Sequence, residues 1–279
     1  MKLLEGDDIV KRFLALFFIL LTGCAGHFPF QKLSDQHSGT LTVMSYNIHT
    51  GKGSDGRFSL ERIVGDIQKE KADLVGIQEV DRFTRRNPMD QAALLKNLSG
   101  FYILFAKNLD FQGGEYGIAV LSRFPIEDYR IFHYKTAEGR EPRGALAVKV
   151  HPFPGAGSRP VWFVTTHLGT DETGEEQKGQ LKELTEWSST LPGDANLFVS
   201  GDFNQKPGSR ALQSFTDQFM DLWQSGGKGE GYTYPASQPA ARIDYLFVRR
   251  GDPVECSRIT VLQTNASDHR PVAATIVLK

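Results

Sequence analysis

Apolar segments of strand length recur from residue 41 to the end of the chain. They are rich in β-branched and aromatic residues, and turn-forming residues bound them, which is the pattern of β-strands joined by turns. We therefore predict strands at Leu41–Tyr46, Leu74–Gln78, Phe101–Phe105, Ile118–Leu121, Ala145–Val150, Val161–Thr166, Leu197–Val199, Ile243–Val248, Ile259–Leu262 and Val272–Leu278.

Three segments between these strands have helical periodicity. In residues 60–67 the apolar positions follow helical spacing behind Ser59, a residue type that favours the position before a helix. Gln91–Leu98 and Glu175–Leu191 also indicate helices, the second with glutamates in its first turn. Because strands outnumber helices and neighbouring strands often lack a crossover helix, the pattern predicts an α/β fold with two packed sheets and helices outside.

The composition indicates one large domain. With 279 residues, 40% of them hydrophobic, the chain can bury a substantial core, and no domain boundary or repeat is visible between Thr40 and Lys279. The net charge of -1 lacks the basic excess by which many duplex-DNA-binding proteins are recognised, although a local basic patch would survive a neutral total.

The N-terminal segment has the pattern of an export signal. Basic residues at positions 11 and 12 precede an apolar run over 13–21 that is short for a bilayer span. The sequence Leu21-Thr22-Gly23-Cys24 resembles a bacterial lipobox, in which Cys24 would be acylated. We therefore predict a signal peptide at 1–23, a lipidated tether at 24–39 and a single folded domain at 40–279. The alternative is an ordinary buried N-terminal segment with an incidental cysteine.

Five polar motifs each close an apolar run. Residues two apart share a face of a strand, so Glu79 shares parity with Val75 and Ile77, and Asp202 shares parity with Asn204. Polar groups that extend an inward-facing row are costly unless something there needs them. The motifs are Met44-Ser45-Tyr46-Asn47, Gly76-Ile77-Gln78-Glu79, Thr165-Thr166-His167-Leu168, Ser200-Gly201-Asp202-Phe203-Asn204 and Ser267-Asp268-His269-Arg270-Pro271.

These residue types suit the cleavage of a phosphate ester. Carboxylate and amide oxygens favour magnesium, with manganese as the alternative, over zinc, and the chain has no zinc signature. A divalent ion neutralises phosphoryl oxygens and lowers the pKa of bound water. Histidine titrates near neutrality and can transfer a proton to or from the reacting groups.

The ordered motifs resemble those of the endonuclease/exonuclease/phosphatase superfamily, which includes deoxyribonucleases, sphingomyelinases and inositol polyphosphate phosphatases. The resemblance covers nearly the whole chain after residue 40, and it implies a four-layered α/β sandwich with the active site at one edge of two mixed sheets. It rests on Tyr46-Asn47, Gln78-Glu79, Thr166-His167-Leu168, Gly201-Asp202-Phe203-Asn204, Ile243-Asp244-Tyr245 and Ser267-Asp268-His269.

The resemblance also implies roles for individual residues. Glu79 would be the principal magnesium ligand, helped by Asn47 and Asp268. Asp202 would orient or deprotonate the attacking water, and Asn204 would hold the phosphate or that water.

Two histidines complete the implied catalytic set. His269, paired with Asp244, would bind and neutralise a phosphoryl oxygen or serve as base. His167 would be the second imidazole and would assist the leaving group. Which of the two is the base stays open.

Two further residues are candidate contacts of the substrate phosphate. Arg143 lies at the mouth of a predicted strand and can form two parallel hydrogen bonds with a phosphate; the alternative is a solvated arginine at a turn. Tyr116 resembles a family tyrosine that lines the cleft; the alternative is a core or rim aromatic residue.

We expect an exported, membrane-anchored bacterial lipoprotein that hydrolyses phosphate esters with Mg²⁺, on the outer membrane or periplasmic side. A phosphodiester is favoured over a monoester, and a lipid headgroup or a small phosphorylated metabolite over nucleic acid. We also expect a monomer. A secreted nuclease is the alternative within the same chemistry, and a non-catalytic surface binding protein is the alternative of another class.

Overall fold

The computed structural model describes residues 39–155 and 158–279; the predicted signal peptide, Cys24 and all but the last residue of the predicted tether lie outside the described residues. The described part contains strands β1 Thr40–Asn47, β2 Leu74–Arg82, β3 Tyr102–Phe111, β4 Gly114–Ser122, β5 Asp128–His133, β6 Gly144–Val150, β7 Val161–His167, β8 Asn196–Asp202, β9 Phe219–Asp221, β10 Asp244–Arg249, β11 Val254–Val261 and β12 Val272–Leu278. Its α-helices are α1 Leu60–Lys69, α2 Gln91–Ser99, α3 Glu175–Ser188, α4 Arg210–Gln218 and α5 Trp223–Gly226.

The strands form two six-stranded mixed sheets. Sheet 1 has the order β11-β12-β1-β2-β4-β3, and sheet 2 has the order β5-β6-β7-β8-β10-β9. The β1–β2 pair and the β7–β8 pair are parallel, and the other pairs are antiparallel. Because the carboxyl ends of the two parallel pairs lie at the same edge of the molecule, side chains that follow those strands can meet there.

Helix starts agree with the sequence. The Ser59 hydroxyl accepts a hydrogen bond from the Arg62 amide (3.3 Å), and Asp90 caps α2 by accepting from the Ala93 amide (3.0 Å). Such a cap stabilises a helix by about 1 kcal/mol. In α1 the buried residues recur with helical spacing, as predicted.

Within the described ranges, no helix has the length and apolar character needed to span a membrane.

Three apolar clusters separate the layers. One lies between the sheets and includes Phe163 and Phe198; a second joins sheet 1 to α1 and α2, and a third joins sheet 2 to α3 and α4. Full burial of one such large side chain stabilises the fold by about 2 kcal/mol. The order of layers is helix, sheet, sheet, helix. The predicted four-layered α/β sandwich is therefore confirmed.

The sequence pattern does not predict strands β5 and β9. Strand β5 lies at an edge of sheet 2, and its apolar residues Tyr129 and Ile131 are 51% and 43% exposed. An edge strand with charged residues lacks the continuous apolar run that identifies buried strands. Strand β9 has only three residues, which is too short for a periodic pattern.

The two sheets approach each other closely around Gly76 of β2. A Cβ atom at Gly76 would lie 2.2 Å from the Ser200 Oγ atom and 2.5 Å from the Thr165 Oγ1 atom of the opposite sheet. The side chain of Gln78 donates a hydrogen bond to the same Thr165 hydroxyl (2.8 Å). Glycine is thus required at position 76 because any side chain would push the sheets apart.

Candidate active site

The carboxyl ends of the parallel strands bring four polar side chains together. Asn47 ends β1, Glu79 lies in β2, and His167 and Asp202 end β7 and β8, where they are register partners. Asp244 begins β10 directly opposite Asp202. The polar motifs of the sequence thus meet at one edge of the sandwich.

Asn47 connects the two sheets at this edge. Its Nδ2 atom donates hydrogen bonds to Glu79 Oε1 (3.0 Å) and to Asp202 Oδ2 (3.0 Å). Its Oδ1 atom accepts from the His49 backbone amide (3.0 Å). Because a primary amide has two N–H donors, the two bonds to carboxylates use its full donor capacity.

Glu79 reaches the site through a local break in β2. Val75 and Ile77 pack in the cluster between sheet 1 and its helices, so simple alternation would direct Glu79 towards the helices as well. The strand register shifts between Ile77 and Val80, and Glu79 has a φ of 63°. Such a left-handed residue costs about 1–3 kcal/mol and is typical of functional sites. The bulge turns the Glu79 carboxylate towards Asn47. The prediction that Glu79 shares a face of the strand with Ile77 is therefore wrong.

Asp202 lies at the centre of the cluster and is buried. Its Oδ1 atom accepts from the Asn204 amide (3.0 Å), and its Oδ2 atom lies 3.5 Å from His167 Nε2 and 3.7 Å from His269 Nε2. Burial, and then the charge of Asp244, raise the pKa of the Asp202 carboxyl. A buried carboxylate with a raised pKa can accept a proton near neutral pH.

His269 is held by a carboxylate. Its Nδ1 atom lies 2.9 Å from Asp244 Oδ2, and the Tyr234 ring packs against the imidazole with ring centroids 4.7 Å apart. Burial alone would lower the pKa of His269, but the Asp244 and Asp202 carboxylates outweigh it and raise the pKa. The imidazolium form is therefore favoured, and it places a positive charge beside Asp202.

His167 is held by a cation instead. Its Nδ1 atom lies 2.7 Å from Nη1 of Arg143, whose Nη2 atom lies 3.3 Å from Glu141 Oε1. Burial lowers the pKa of His167 well below its usual value, and the charges of Arg143 and His269 lower it further. The two imidazoles on either side of Asp202 therefore have opposite charge preferences.

The remaining predicted residues lie around this cluster. Asn204 follows β8 with a φ of 49°, and its Nδ2 atom donates to the Leu168 carbonyl (3.1 Å), so it joins the loops after β7 and β8. Strand alternation ends at Asp202, so parity does not place Asn204. Tyr116 is buried. Burial is the main cause that raises the pKa of its hydroxyl, and the negative charge of Glu79 is the next.

Asp268 is displaced from the centre. Its Oδ1 atom lies 3.6 Å from His49 Nδ1 and 3.3 Å from the Ser267 Oγ atom. The single Ser267 hydroxyl proton is donated to the Asn47 carbonyl (2.7 Å), so Ser267 lies between Asp268 and Asn47.

The donor set fits a hard divalent cation. Ligand atoms of Asp202, Asp244 and His269 lie within 4.8 Å of one another, and Asp244 Oδ1 is a buried oxygen without a hydrogen-bond partner among the described residues. The Glu79 carboxylate lies beside this group and is held there by the Asn47 amide nitrogen, which also donates to Asp202. Carboxylate and amide oxygens are ligands for magnesium or manganese, whereas a cysteine cage for zinc is absent from the described residues.

Three residues at the site were not singled out as site residues from the sequence. Gln78 and Ser267 lie inside two of the five polar motifs, and their position beside Glu79 and Asp268 in the sequence is the available signal. Tyr234 has no such signal, because it lies in a loop between elements and is brought to His269 only by the fold.

Comparisons with known proteins identify the family and the fold. The Endonuclease/Exonuclease/phosphatase family matches residues 44–269. YbhP of Escherichia coli (strain K12), described as an uncharacterized protein, is 29% identical over 254 residues, which cover 86% of this chain and 97% of YbhP.

Two solved structures have similar folds. An endonuclease/exonuclease/phosphatase from Beutenbergia cavernae has a TM-score of 0.71 at 24% identity, covering 86% of this chain and 72% of its own. The Bacteroides thetaiotaomicron mannosyl-6-phosphatase Bt3783 has a TM-score of 0.71 at 19% identity, covering 85% of this chain and 100% of its own.

Proposed function

Because this chain belongs to the Endonuclease/Exonuclease/phosphatase family of hydrolytic phosphoesterases and nucleases, we propose that it hydrolyses a phosphodiester with the help of Mg²⁺. The proposed substrate is a lipid headgroup or a small phosphorylated metabolite. One observation carries the proposal: Asn47 joins Glu79 to Asp202 in a network that also contains both imidazoles.

The proposed metal ligands are Glu79, Asn47 and Asp268, with Mn²⁺ as the alternative ion. When bound, the ion would neutralise phosphoryl charge and acidify a water molecule. Carboxylates that lie close together repel one another, so a cation beside Glu79 and Asp202 would also stabilise their ionised forms.

The protein side chains divide the remaining work. Asp202 accepts a proton from the attacking water, since burial gives its carboxyl a raised pKa. Asn204 orients that carboxylate through its backbone amide. His269, kept cationic by Asp244, places its charge against the phosphoryl oxygens, and the buried His167 assists the leaving group from the other side of Asp202.

Hydrolysis of bis-(p-nitrophenyl) phosphate tests the proposal. We expect activity with Mg²⁺, loss of activity with EDTA, and recovery when Mg²⁺ is added in excess. Glu79→Gln should lose activity, whereas Glu127→Gln, an exposed carboxylate at the opposite edge, should keep it. Activity that is indifferent to EDTA and unchanged in Glu79→Gln would overturn the proposal.

A substrate screen separates small esters from nucleic acid. The panel contains glycerophosphodiesters, sugar phosphates including mannose 6-phosphate, plasmid DNA and RNA. The near-neutral net charge favours the small substrates. Plasmid nicking that weakens steeply with salt would favour the nuclease alternative, because backbone binding depends on counterion release.

The exported, lipid-anchored location is part of the proposal and is supported by the sequence of residues 11–24. Cys24→Ala should abolish labelling by a radioactive fatty acid and move the protein from the membrane fraction to the soluble fraction. A protein that remains cytoplasmic and unlabelled without the substitution would overturn it.

A further inference from the structure

Arg143 lies immediately before strand β6 and is buried, with only 6% of its surface exposed. Its Nη1 atom lies 2.7 Å from His167 Nδ1, and its Nη2 atom lies 3.3 Å from Glu141 Oε1. Both terminal nitrogens of this guanidinium therefore face partners in the protein.

The chemistry of this contact decides where the His167 proton lies. A guanidinium carries only N–H donors, and it stays protonated at every pH at which proteins fold. The Nδ1 atom of His167 must therefore accept the hydrogen bond and carry no proton. The single proton of a neutral imidazole is then on Nε2, the atom that faces Asp202 Oδ2 at 3.5 Å.

We propose that Arg143 is a positioning residue that holds His167 as the neutral Nε2–H tautomer, so that His167 donates a hydrogen bond to the phosphate ester and does not act as base. The part about the ester rests on the proposed function; the tautomer itself does not. Burial and the Arg143 charge, which both lower the pKa of His167, act in the same direction.

His269, the second imidazole of the site, has a hydrogen-bond partner of the opposite kind at Nδ1. The Asp244 carboxylate can only accept, so His269 donates from Nδ1, the ring position at which His167 accepts. The two rings flank the same Asp202 oxygen with partners of opposite kind. Proton acceptance from water is thereby left to Asp202, and His167 serves as a fixed donor on the opposite side from His269.

This role differs from the one that the sequence suggests. An Arg143 that forks onto the substrate phosphate would need its terminal nitrogens directed at the ligand, and its loss would raise KM. A residue that fixes a tautomer acts on kcat, since the donor it provides is used on the reacting group.

Nitrogen-15 NMR of the full chain labelled at histidine tests the tautomer directly. Long-range ¹H–¹⁵N spectra distinguish a protonated ring nitrogen from an unprotonated one, and the His167 signals are assigned by their absence in His167→Gln. In the wild-type protein we expect a protonated Nε2 and an unprotonated Nδ1. A protonated Nδ1 on His167 would overturn the proposal, whether or not any variant folds.

Two variants with a matched control test the need for a partner that can only donate. Arg143→Met removes the donor and should give a mixture of tautomers, whereas Arg143→Lys keeps a side chain with donors only and should retain the Nε2–H form. Arg140→Met, at an exposed arginine three residues away that pairs with Asp171, should leave the spectrum unchanged. An unaltered His167 spectrum in folded Arg143→Met would contradict the proposal.

Kinetics on bis-(p-nitrophenyl) phosphate tests the consequence. Arg143→Met should lower kcat about 10- to 100-fold with little change in KM, the range seen when a partner that orients a reacting group is lost. Arg143→Lys should recover part of the lost kcat, because its side chain has donors only. A higher KM with unchanged kcat would support the phosphate fork instead. If the wild-type protein hydrolysed no phosphate ester, the proposed function would fail while the spectrum still decided the tautomer.

Discussion

Sheet 1 and sheet 2 have the same local plan. In each, a central parallel pair is flanked by antiparallel strands: β12-β1-β2-β4 in sheet 1 and β6-β7-β8-β10 in sheet 2. Both parallel pairs end at the same edge, and both end in polar side chains. The two sheets differ in what those side chains are.

In sheet 1 the side chains at the catalytic edge are a carboxylate and an amide that can provide oxygen ligands. In sheet 2 they are imidazole and carboxyl groups that can exchange protons. Asn47 and Glu79 come from sheet 1, and Glu79 needs a bulge to reach the site. His167, Asp202 and Asp244 come from sheet 2 and are buried without such a break. The comparison indicates that cation binding and proton transfer are divided between the sheets, with the Asn47 amide as the link.

The largest expected effect tests this division. Asp202→Asn should lower kcat about 10³-fold, because a general base typically contributes a factor of 10² to 10⁴. The same variant should lose less affinity for Mn²⁺ than Glu79→Gln does, measured by isothermal titration calorimetry. Glu79→Gln should lose both activity and Mn²⁺ binding.

The opposite result would break the comparison. If Asp202→Asn lost Mn²⁺ binding while Glu79→Gln retained it, the ion would belong to the Asp202, Asp244 and His269 group. Sheet 2 would then hold the proton acceptor and two of the three cation ligands, and His269, from the loop before β12 of sheet 1, would be the third.

A smaller effect is expected where the two sheets meet. Gly76→Ala should destabilise the fold by about 1–3 kcal/mol, because the new methyl group would overlap Ser200 Oγ and Thr165 Oγ1. Gly65→Ala is the control: it lies in α1 with open space around it, and it should stabilise the protein by up to about 1 kcal/mol. Urea denaturation measures both; equal effects would show that the sheets separate without cost.

The smallest effect concerns pH. The pKa of His167 is lowered in the folded protein. Below pH 6.5 the His167 imidazole is therefore mostly protonated in the unfolded chain and stays neutral in the folded one. Stability must then fall as pH falls. The free energy of unfolding of the wild-type protein, minus that of His167→Gln, should decrease by about 1 kcal/mol between pH 7 and pH 5.5. The measurements are made with EDTA present, and the contribution of His269 is common to both proteins. A difference in the free energy of unfolding that stays constant between pH 7 and pH 5.5 would refute this prediction.

Much of the fold follows from the sequence because buried strands carry continuous apolar runs. All ten predicted strands overlap observed ones. The predicted helix at 175–191 ends at Ser188, three residues early, since Leu191 continues the apolar pattern in the turn that follows. The pattern does not predict the two edge strands of sheet 2: β5 exposes much of its apolar surface, and β9 has only three residues.

The placement of the site residues was predictable to the extent that strands stay regular. Asn47 and His167 extend rows that face the core between the sheets, as alternation requires. Glu79 depends on a bulge, which a periodic pattern does not register. The Arg143–His167 contact joins residues on different strands and required the three-dimensional fold.

Strand β1 runs from Thr40 to Asn47 and therefore enters the domain at the edge opposite the catalytic one. Strand β12 returns to that same edge, where the Leu278 amide donates to the Gly39 carbonyl (3.0 Å). Both ends of the domain thus leave it side by side, far from the reacting groups. An affinity tag, a surface linker or a short peptide joining the two ends in a circular permutant should leave the catalytic edge open to substrate.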